Sequence, residues 1–278
     1  MPSLPARGPA VRELGLVLPP ERLALLRGGR LRKQWRYVGY YGPELMLCVG
    51  DARIGAIPQR WWAVAEPAGG LRQRSSLGSA GVRMEHSRVR VDSEGVSIAL
   101  ELEESPGVEV ASPVAEGKNY IWTRKQAAVP VKGEVELPGR HHSIDGEAFV
   151  DESAGYHDRH TAWKWSAGNG RATDGRRVAW NLVTGVHDAP RNSERTLWLD
   201  GQPHEVGPVA FASNLSRVEF ADGGALHFHE WSAREERVNL LLLRNIYRQP
   251  LGTFRGELPG AIELAEGYGV MEEHDVYW

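Results

Sequence analysis

Residues 87–103 read SRVRVDSEGVSIALELE, and this stretch predicts an antiparallel β-hairpin. Valines alternate with arginines over residues 88–91, and aliphatic residues alternate with small or polar ones over residues 96–103. A period of two places alternate side chains on opposite faces of a strand. The intervening residues 92–95 are typical of a tight turn. The hairpin therefore has one buried face and one wet face, where arginine and glutamate side chains pair across the strands.

The same pattern of short strands and turns continues through the second half of the chain. Asn-Gly or Asp-Gly dipeptides, which favour tight hairpin turns, stand at 169–170, 174–175, 200–201 and 222–223. Short strands at regular spacing predict an all-β protein, either a sandwich or barrels. The strand-like runs cover residues 161–168, 177–187, 194–200, 203–212, 215–221, 224–231 and 236–248.

Helical signals are few and lie near the N-terminus. Residues 20–26 read PERLALL and are followed by two glycines, which predicts a short helical segment there. A polar stretch with proline and glycine at residues 138–146 divides the chain roughly in half. We therefore predict two antiparallel barrels, residues 1–140 with an N-terminal extension and residues 141–278. A single large sandwich is the rival geometry.

The composition excludes several classes of protein. The 278 residues include 33 Lys and Arg against 36 Asp and Glu, so no global attraction to nucleic acid is expected. The single cysteine, Cys48, excludes an intrachain disulfide and a multi-cysteine metal site. No apolar stretch approaches the roughly 20 residues that span a bilayer, so we expect no integral membrane segment. Prolines interrupt the first 20 residues and leave no stretch like a signal peptide, which predicts a cytoplasmic protein.

The densest group of polar and aromatic residues lies at residues 151–165, which read DESAGYHDRHTAWKW. The charge of Asp158 can raise the pKa of His157 or of His160, and the phenol of Tyr156 can donate a proton. We predict Tyr156, Asp158 and His160 as the catalytic residues of an acid–base site. The alternative for each residue is a solvated charge or a core aromatic beside a strand connection.

Aromatic residues on two predicted strands form candidate walls of a ligand pocket. Residues 163 and 165 are both tryptophan, and a spacing of two places them on one strand face. Over residues 35–44, alternation places Trp35 and Tyr37 on one face and Tyr40 on the other. Such aromatic density is also typical of a plain β core. The predicted ligand-binding residues are Trp35, Tyr37, Tyr40, Glu44, Trp163, Trp165, Trp180, His227 and His229.

No metal site and no cofactor are predicted. His227 and His229 share a strand face and could together chelate a metal, but Ala233 and Arg234 stand where a carboxylate ligand would be expected. The two histidines then belong to a polar wet face or to a barrel lumen. The sequence contains no phosphate-binding loop, no Gly-x-Ser-x-Gly turn and no His-Glu-x-x-His motif.

Three segments carry a family resemblance. At residues 37–45, 155–165 and 266–274 the sequence resembles a bacterial family described as a domain of unknown function, DUF2804, and the resemblance spans nearly the whole chain. More distantly, the Gly-Tyr-x-Asp segment at 155–158 is similar to the signature of the carotenoid 1,2-hydratase and AttH-like group. That resemblance implies two tandem lipocalin-like (calycin) barrels around an apolar pocket. It also implies a carboxyl group that protonates an alkene, but residues 180–182 read Trp-Asn-Leu and lack the acid, so Asp158 is the candidate substitute.

Three functions follow as alternatives. The first is an enzyme, a hydratase-type lyase or an isomerase or cyclase, that acts on a small apolar molecule such as a lipid, terpenoid or polyketide-like compound. The second is a carrier that binds the same class of ligand without changing it. The third is a structural or interaction protein with filled barrels, in which the terminal Tyr277 and Trp278 dock a partner.

Overall fold

The structure is a computed structural model that describes residues 3–67, 70–114, 117–240 and 243–278. Within these residues the chain forms two large sheets, one of 11 strands and one of 9 strands, and a separate two-stranded hairpin. Every strand pair is antiparallel. The predicted all-β, tandem-barrel fold is confirmed.

The first half of the chain begins with a 3-10 helix, Gly8–Leu14, which follows the first strand. The strands of this half are β1 (Ala6–Arg7), β2 (Leu26–Arg27), β3 (Arg30–Leu31), β4 (Lys33–Tyr41), β5 (Met46–Ile54), β6 (Ile57–Ala65), β7 (Leu71–Ser76), β8 (Val82–Met84), β9 (Arg88–Ser93), β10 (Val96–Leu102), β11 (Val108–Val114), β12 (Asn119–Leu137) and β13 (Arg140–Gly155).

The first sheet has the order β7-β6-β5-β4-β13-β12-β10-β9-β8, and β11 pairs with β12 and with β1. The terminal strand β8 also lies close to β5 and β6, so the sheet curls back on itself. The strands β2 and β3 pair only with each other and form the separate hairpin.

The second sheet has the order β17-β16-β15-β14-β22-β21-β20-β19-β18, and it curls in the same way because β18 lies close to β15. Its strands are β14 (His160–Ala172), β15 (Arg177–Thr184), β16 (Thr196–Leu199), β17 (Gln202–Glu205), β18 (Val209–Phe211), β19 (Arg217–Phe220), β20 (Ala225–Leu240), β21 (Leu243–Leu258) and β22 (Ile262–Tyr277).

The hairpin that the sequence predicts at residues 87–103 is present as β9 and β10. Buried and exposed residues alternate strictly along both strands. The turn residues Glu94 and Gly95 both have positive φ, 56° and 76°, a conformation that suits glycine and tight hairpin turns. This local prediction is confirmed.

The short N-terminal helical segment lies earlier than the sequence pattern indicates. It is the 3-10 helix Gly8–Leu14, whereas residues 20–26 are not helical. The carbonyl oxygens of Leu23 and Leu25 accept hydrogen bonds from Arg32, one from its guanidinium at 2.7 Å and one from its backbone nitrogen at 2.9 Å. Because Arg32, which lies between β3 and β4, uses these acceptors, the segment does not form a helix.

Side chains fill the concave side of each curled sheet. In the first sheet, one apolar cluster joins β4, β5 and β6 to β8, β9 and β10 across the interior and includes Val38, Trp62 and Ile98. In the second sheet, Trp180 and Phe254 meet edge to face at 4.9 Å within a similar cluster. Burial of apolar surface contributes roughly 25 cal/mol per Å², so these two clusters stabilise their sheets strongly. The interiors are packed cores.

A third apolar cluster joins the two sheets. Tyr37 and Phe149 of the first sheet pack on Trp165 of the second, with ring centroids 5.6 and 5.8 Å apart. Cys48 of the first sheet and Val183 of the second are buried in the same cluster. This shared core holds the two sheets against each other. Polar residues also meet in the region between the sheets.

The chain crosses from the first sheet to the second at residues 156–159. The predicted boundary at 140/141 falls in the turn between β12 and β13, and both of these strands pair within the first sheet. In the part of the chain that the structure describes, no helix is long and apolar enough to span a membrane.

Candidate functional site

A cavity of about 320 Å³ lies at the junction of the two sheets. Its walls come from the end of β11, the start of β12, the crossing segment and the loop that follows β15. The apolar lining residues include Pro5, Pro113, Val114, Ile121, Ala162, Val186 and Ala189. The polar lining residues are Ser112, His157, Asp158, His160, Thr161, His187 and Asp188.

A second cavity of about 420 Å³ differs in character. It lies on the outer face of the first sheet over β9, β10, β12 and β13. Exposed charged side chains such as Arg90, Lys132 and Asp145 line it. Buried ionisable groups border only the first of these two cavities, which is therefore the stronger candidate for chemistry.

Two histidines in the wall of the junction cavity are buried and neutral. Burial lowers the pKa of His187 well below its ordinary value, and the charge of Lys125 lowers it further. Burial likewise lowers the pKa of His157 to about 3, with a smaller contribution from Lys33. His187 Nδ1 lies 2.8 Å from Ser112 Oγ, while His187 Nε2 and His157 Nδ1 have no hydrogen-bond partner among the described residues. A neutral imidazole with an unused nitrogen can accept or donate one hydrogen bond to a ligand.

A buried group of charged residues lies behind this wall. Lys125 Nζ of β12 lies 2.5 Å from Asp151 Oδ1 of β13 and 3.4 Å from Glu194 Oε2. The backbone nitrogen of Glu194 donates to the carbonyl of His187 at 3.0 Å, so the carboxyl-bearing segment is joined directly to the cavity wall. Asn181 of β15 donates to Glu194 Oε1 at 3.4 Å and to its carbonyl at 2.9 Å.

The two acids of this group have different environments. Burial raises the pKa of Glu194 to about 7, the charge of Lys125 opposes that rise, and the charge of Asp151 adds to it. Asp151 accepts hydrogen bonds from Lys125 at 2.5 Å and from Trp35 Nε1 at 3.2 Å. Two carboxyls with such different surroundings can divide the roles of proton donor and counter-ion.

A further buried acid, Glu272 of β22, lies between the sheets. It accepts hydrogen bonds from Trp163 Nε1 at 2.8 Å, Tyr247 Oη at 3.0 Å and Gln249 Nε2 at 2.9 Å. Burial raises its pKa. Because three donors already use its oxygens, Glu272 serves to hold Trp163 and β21 in place.

The predicted catalytic residues separate into two groups. Asp158 and His160 both line the junction cavity. The Asp158 carboxylate pairs with Arg30 at 2.6 Å, and His160 Nε2 lies 2.9 Å from Asp275 Oδ1. Tyr156 lies elsewhere, because its hydroxyl donates to the Ala24 carbonyl at 2.9 Å within the N-terminal apolar cluster.

Four of the predicted ligand-binding aromatics lie between the sheets. Trp35 and Trp163 stack with ring centroids 6.4 Å apart, and Trp35 also lies 5.1 Å from the ring of His157. Tyr37 and Trp165 belong to the core that joins the sheets, where Trp165 Nε1 donates to Asn181 at 2.7 Å. These four rings extend from the cavity wall into the shared core.

The other predicted ligand-binding residues lie away from the junction cavity. Tyr40 packs against the interior of the first sheet, and Trp180 is fully buried in the interior of the second. Glu44 is exposed in the turn between β4 and β5. His227 and His229 are exposed on one face of β20, and no group of three or more potential metal ligands occurs among the described residues.

The sequence analysis missed Ser112, Lys125, His187 and Glu194. Ser112 and His187 are 75 positions apart, and the fold alone brings them together. Lys125 stands among the polar residues of 123–126 and so gives no local signal of its burial. Glu194 and His187 lie in polar loops and carry no such signal.

Comparisons with known proteins agree with this architecture. Residues 71–278 match a family described as a domain of unknown function (DUF2804). No match was found among the curated proteins.

Two solved structures share the fold. A candidate AttH protein from Nitrosomonas europaea is similar with a TM-score of 0.57 and 14% identity, over 94% of this chain and 98% of that one. Kievitone hydratase from Nectria haematococca is similar with a TM-score of 0.55 and 12% identity, over 86% of this chain and 88% of that one. At these identities the comparison establishes the fold.

Proposed function

This chain belongs to the DUF2804 family, and we propose that it binds a small, mainly apolar molecule in the junction cavity and adds a proton to it. The proton transfer belongs to a hydration or an isomerisation. The observation that carries the proposal is a buried, protonatable carboxyl, that of Glu194, on a residue whose backbone nitrogen bonds to His187 in the wall of a cavity of ligand size.

The cavity supports binding of a molecule with both apolar and polar parts. Its volume of about 320 Å³ lies within the usual range for small-molecule sites, which begins at roughly 300 Å³. Ile121, Val186 and Ala162 supply apolar surface, while Ser112 and His187 supply hydrogen-bonding groups. The predicted pocket inside a barrel is thereby replaced in our proposal by a pocket between the two sheets, since side chains fill both interiors.

Glu194 supports the acid step. A carboxyl with a pKa of about 7 retains its proton in a large fraction of molecules at neutral pH, and general acids work best near the operating pH. The ammonium group of Lys125, 3.4 Å from Glu194 Oε2, can then balance the negative charge that remains after Glu194 gives up its proton. His187, held neutral by burial and bonded to Ser112, can accept or donate a hydrogen bond and so orient a water molecule.

The balanced reaction has two forms. In a hydration, one alkene carbon takes the proton of Glu194 and the other bonds to the oxygen of water, which then loses one proton to the Glu194 carboxylate and so restores the acid. In an isomerisation, the added proton is followed by loss of a different proton. Asp158 and His160 line the same cavity and remain candidates for orienting the ligand. The shared fold with kievitone hydratase supports the choice of hydration as the first reaction to test.

The test measures the incorporation of deuterium from solvent into the ligand. A molecule that co-purifies with the protein is extracted, identified and returned to it in D2O, and its mass is measured over time. Proton addition by the protein places carbon-bound deuterium in the recovered molecule. We expect the wild type and the exposed-acid control Glu219→Gln to incorporate it, and Glu194→Gln to bind equally well but to lose the incorporation by about 100-fold or more.

Two outcomes would contradict the proposal. A ligand that the wild type returns without deuterium identifies a carrier. Incorporation that persists in Glu194→Gln assigns the proton to another group, and Asp158→Asn is then the variant to measure.

A further inference from the structure

Apolar side chains protrude at one end of the first sheet. Leu26 and Leu31 are cross-strand partners in the separate hairpin of β2 and β3, and they are 59% and 47% exposed. Leu25, just before this hairpin, is 49% exposed, and Ile57, just after the turn between β5 and β6, is 58% exposed. The side chain of Leu31 lies against Gly55 of that same turn, so the hairpin and the turn form one surface. Aliphatic residues this exposed and this close together indicate an interaction surface.

The charge around these residues is strongly positive. Between Arg22 and Pro43 the sequence has six basic residues and no acidic one, although the whole chain has a net charge of -3. Arg22, Arg27 and Arg53 are exposed and form no ion pair with any described residue. The acids nearest to this surface in the sequence are Glu21 and Asp51, and Asp51 pairs with Arg60 at 2.8 Å.

The hairpin is firmly held against the protein. The Arg27 guanidinium lies 4.9 Å above the ring of Tyr120 in β12. Arg30 pairs with Asp158 at 2.6 Å, and Asp158 lines the junction cavity. The protruding leucines are therefore presented on a rigid element beside the cavity rather than on a loose loop.

We propose that this hairpin surface, formed by Leu25, Leu26, Leu31 and Ile57 with Arg22, Arg27 and Arg53, docks on the anionic surface of a lipid bilayer. Aliphatic side chains that protrude from turns can enter the headgroup region, while arginines beside them bind lipid phosphates. A peptide partner would instead require a groove, and these residues stand out from the surface. The proposal is independent of the reaction at the cavity, because docking can be measured without a ligand.

Vesicle sedimentation tests the proposal directly. The full-length protein is mixed at low salt with vesicles of phosphatidylcholine or of phosphatidylcholine with phosphatidylglycerol. We expect sedimentation with the anionic vesicles only and its loss at high salt. Leu26→Asp/Leu31→Asp and Arg22→Gln/Arg27→Gln/Arg53→Gln should each weaken binding by about tenfold or more. The control Ala210→Asp/Ala221→Asp adds the same two charges at exposed positions of the second sheet and should bind as the wild type does.

A fluorescence measurement tests the same docking if the multiple variants above fold poorly. Cys48 is the only cysteine and is buried, with a pKa raised by burial to about 11, so an introduced surface cysteine reacts selectively with a fluorophore. Label at Leu31→Cys should shift to the blue with anionic vesicles, and label at Ala210→Cys should not. Absence of wild-type sedimentation with anionic vesicles, or equal loss in the control pair, would overturn the proposal and leave an acidic protein as the partner to seek.

Discussion

At the scale of single residues, the most informative feature is an acid that burial holds near neutrality. Glu194 is 2% exposed, and Lys125 Nζ lies 3.4 Å from its Oε2 atom. Removing one partner of a buried charged pair destabilises the folded protein, because the other charge is left uncompensated. The identity of this acid could not be predicted from the sequence, because its properties arise from β12, β13 and β15 together.

The titration of Glu194 predicts a specific pH dependence of stability. Its ordinary pKa is 4.5 and its folded-state pKa is about 7. Below about pH 4.5 the group is protonated in both states, and between about 4.5 and 7 only the folded state keeps the proton. The stabilising contribution is therefore present at low pH and is lost as the pH rises to about 7, a change of about 2–4 kcal/mol.

Urea unfolding at several pH values measures this effect. The free energy of unfolding of the wild type, relative to that of Glu194→Gln, should fall between about pH 4.5 and pH 8, because glutamine does not titrate. The surface variant Glu219→Gln should follow the wild type. Parallel curves for the wild type and Glu194→Gln would show that the carboxyl is not perturbed in the folded protein.

At the scale of elements, the sequence predicts an element correctly where a local pattern encodes it and fails where residues outside the segment decide it. The hairpin of β9 and β10 follows from alternation and a four-residue turn, both of which are encoded within residues 87–103. The helix expected at 20–26 is absent because Arg32, which lies between β3 and β4, donates hydrogen bonds to the carbonyls of Leu23 and Leu25. Propensity predicts a segment only when no tertiary partner competes for its backbone.

The turn before β15 and the loop after it provide a matched pair of glycine substitutions, Gly175 and Gly185. Gly185 lines the junction cavity and has a φ of +93°, and an added Cβ would meet the carbonyl oxygen of Ala162 at 2.2 Å. Gly175 has a φ of +90° and open space around the same position. We expect Gly175→Ala to cost about 1 kcal/mol from backbone strain alone, and Gly185→Ala about 3 kcal/mol or more from strain and overlap together.

The two variants should also differ in ligand binding. Fluorescence of the apolar dye 1-anilinonaphthalene-8-sulfonate reports on the cavity, and only Gly185→Ala should weaken it, because Gly185 and Ala162 both line that space. Equal destabilisation and equal dye binding in the two variants would mean that the loop after β15, which contains Gly185, does not pack as described.

At the scale of the whole molecule, side chains fill the interior of each curled sheet, and the space for a ligand lies between the two sheets. The sequence predicts two barrels and their aromatic content, but it does not say which strand faces point inward, and a one-residue error exchanges the two faces. Trp180 and Tyr40 lie in the packed interiors, while Trp35 and Trp163 lie between the sheets. The predicted set of aromatics is therefore divided among three separate clusters.

The measurement that tests the central claim most directly is native mass spectrometry of the freshly purified protein and of a variant whose cavity is filled. Ala162→Trp places a large side chain in the junction cavity, and Ala210→Trp places the same side chain on the exposed outer surface of the second sheet. We predict a retained small molecule, or stoichiometric binding of added dye, in the wild type and Ala210→Trp, and neither in Ala162→Trp. Equal retention in all three proteins, or none in the wild type together with no dye binding, would contradict a ligand site between the sheets.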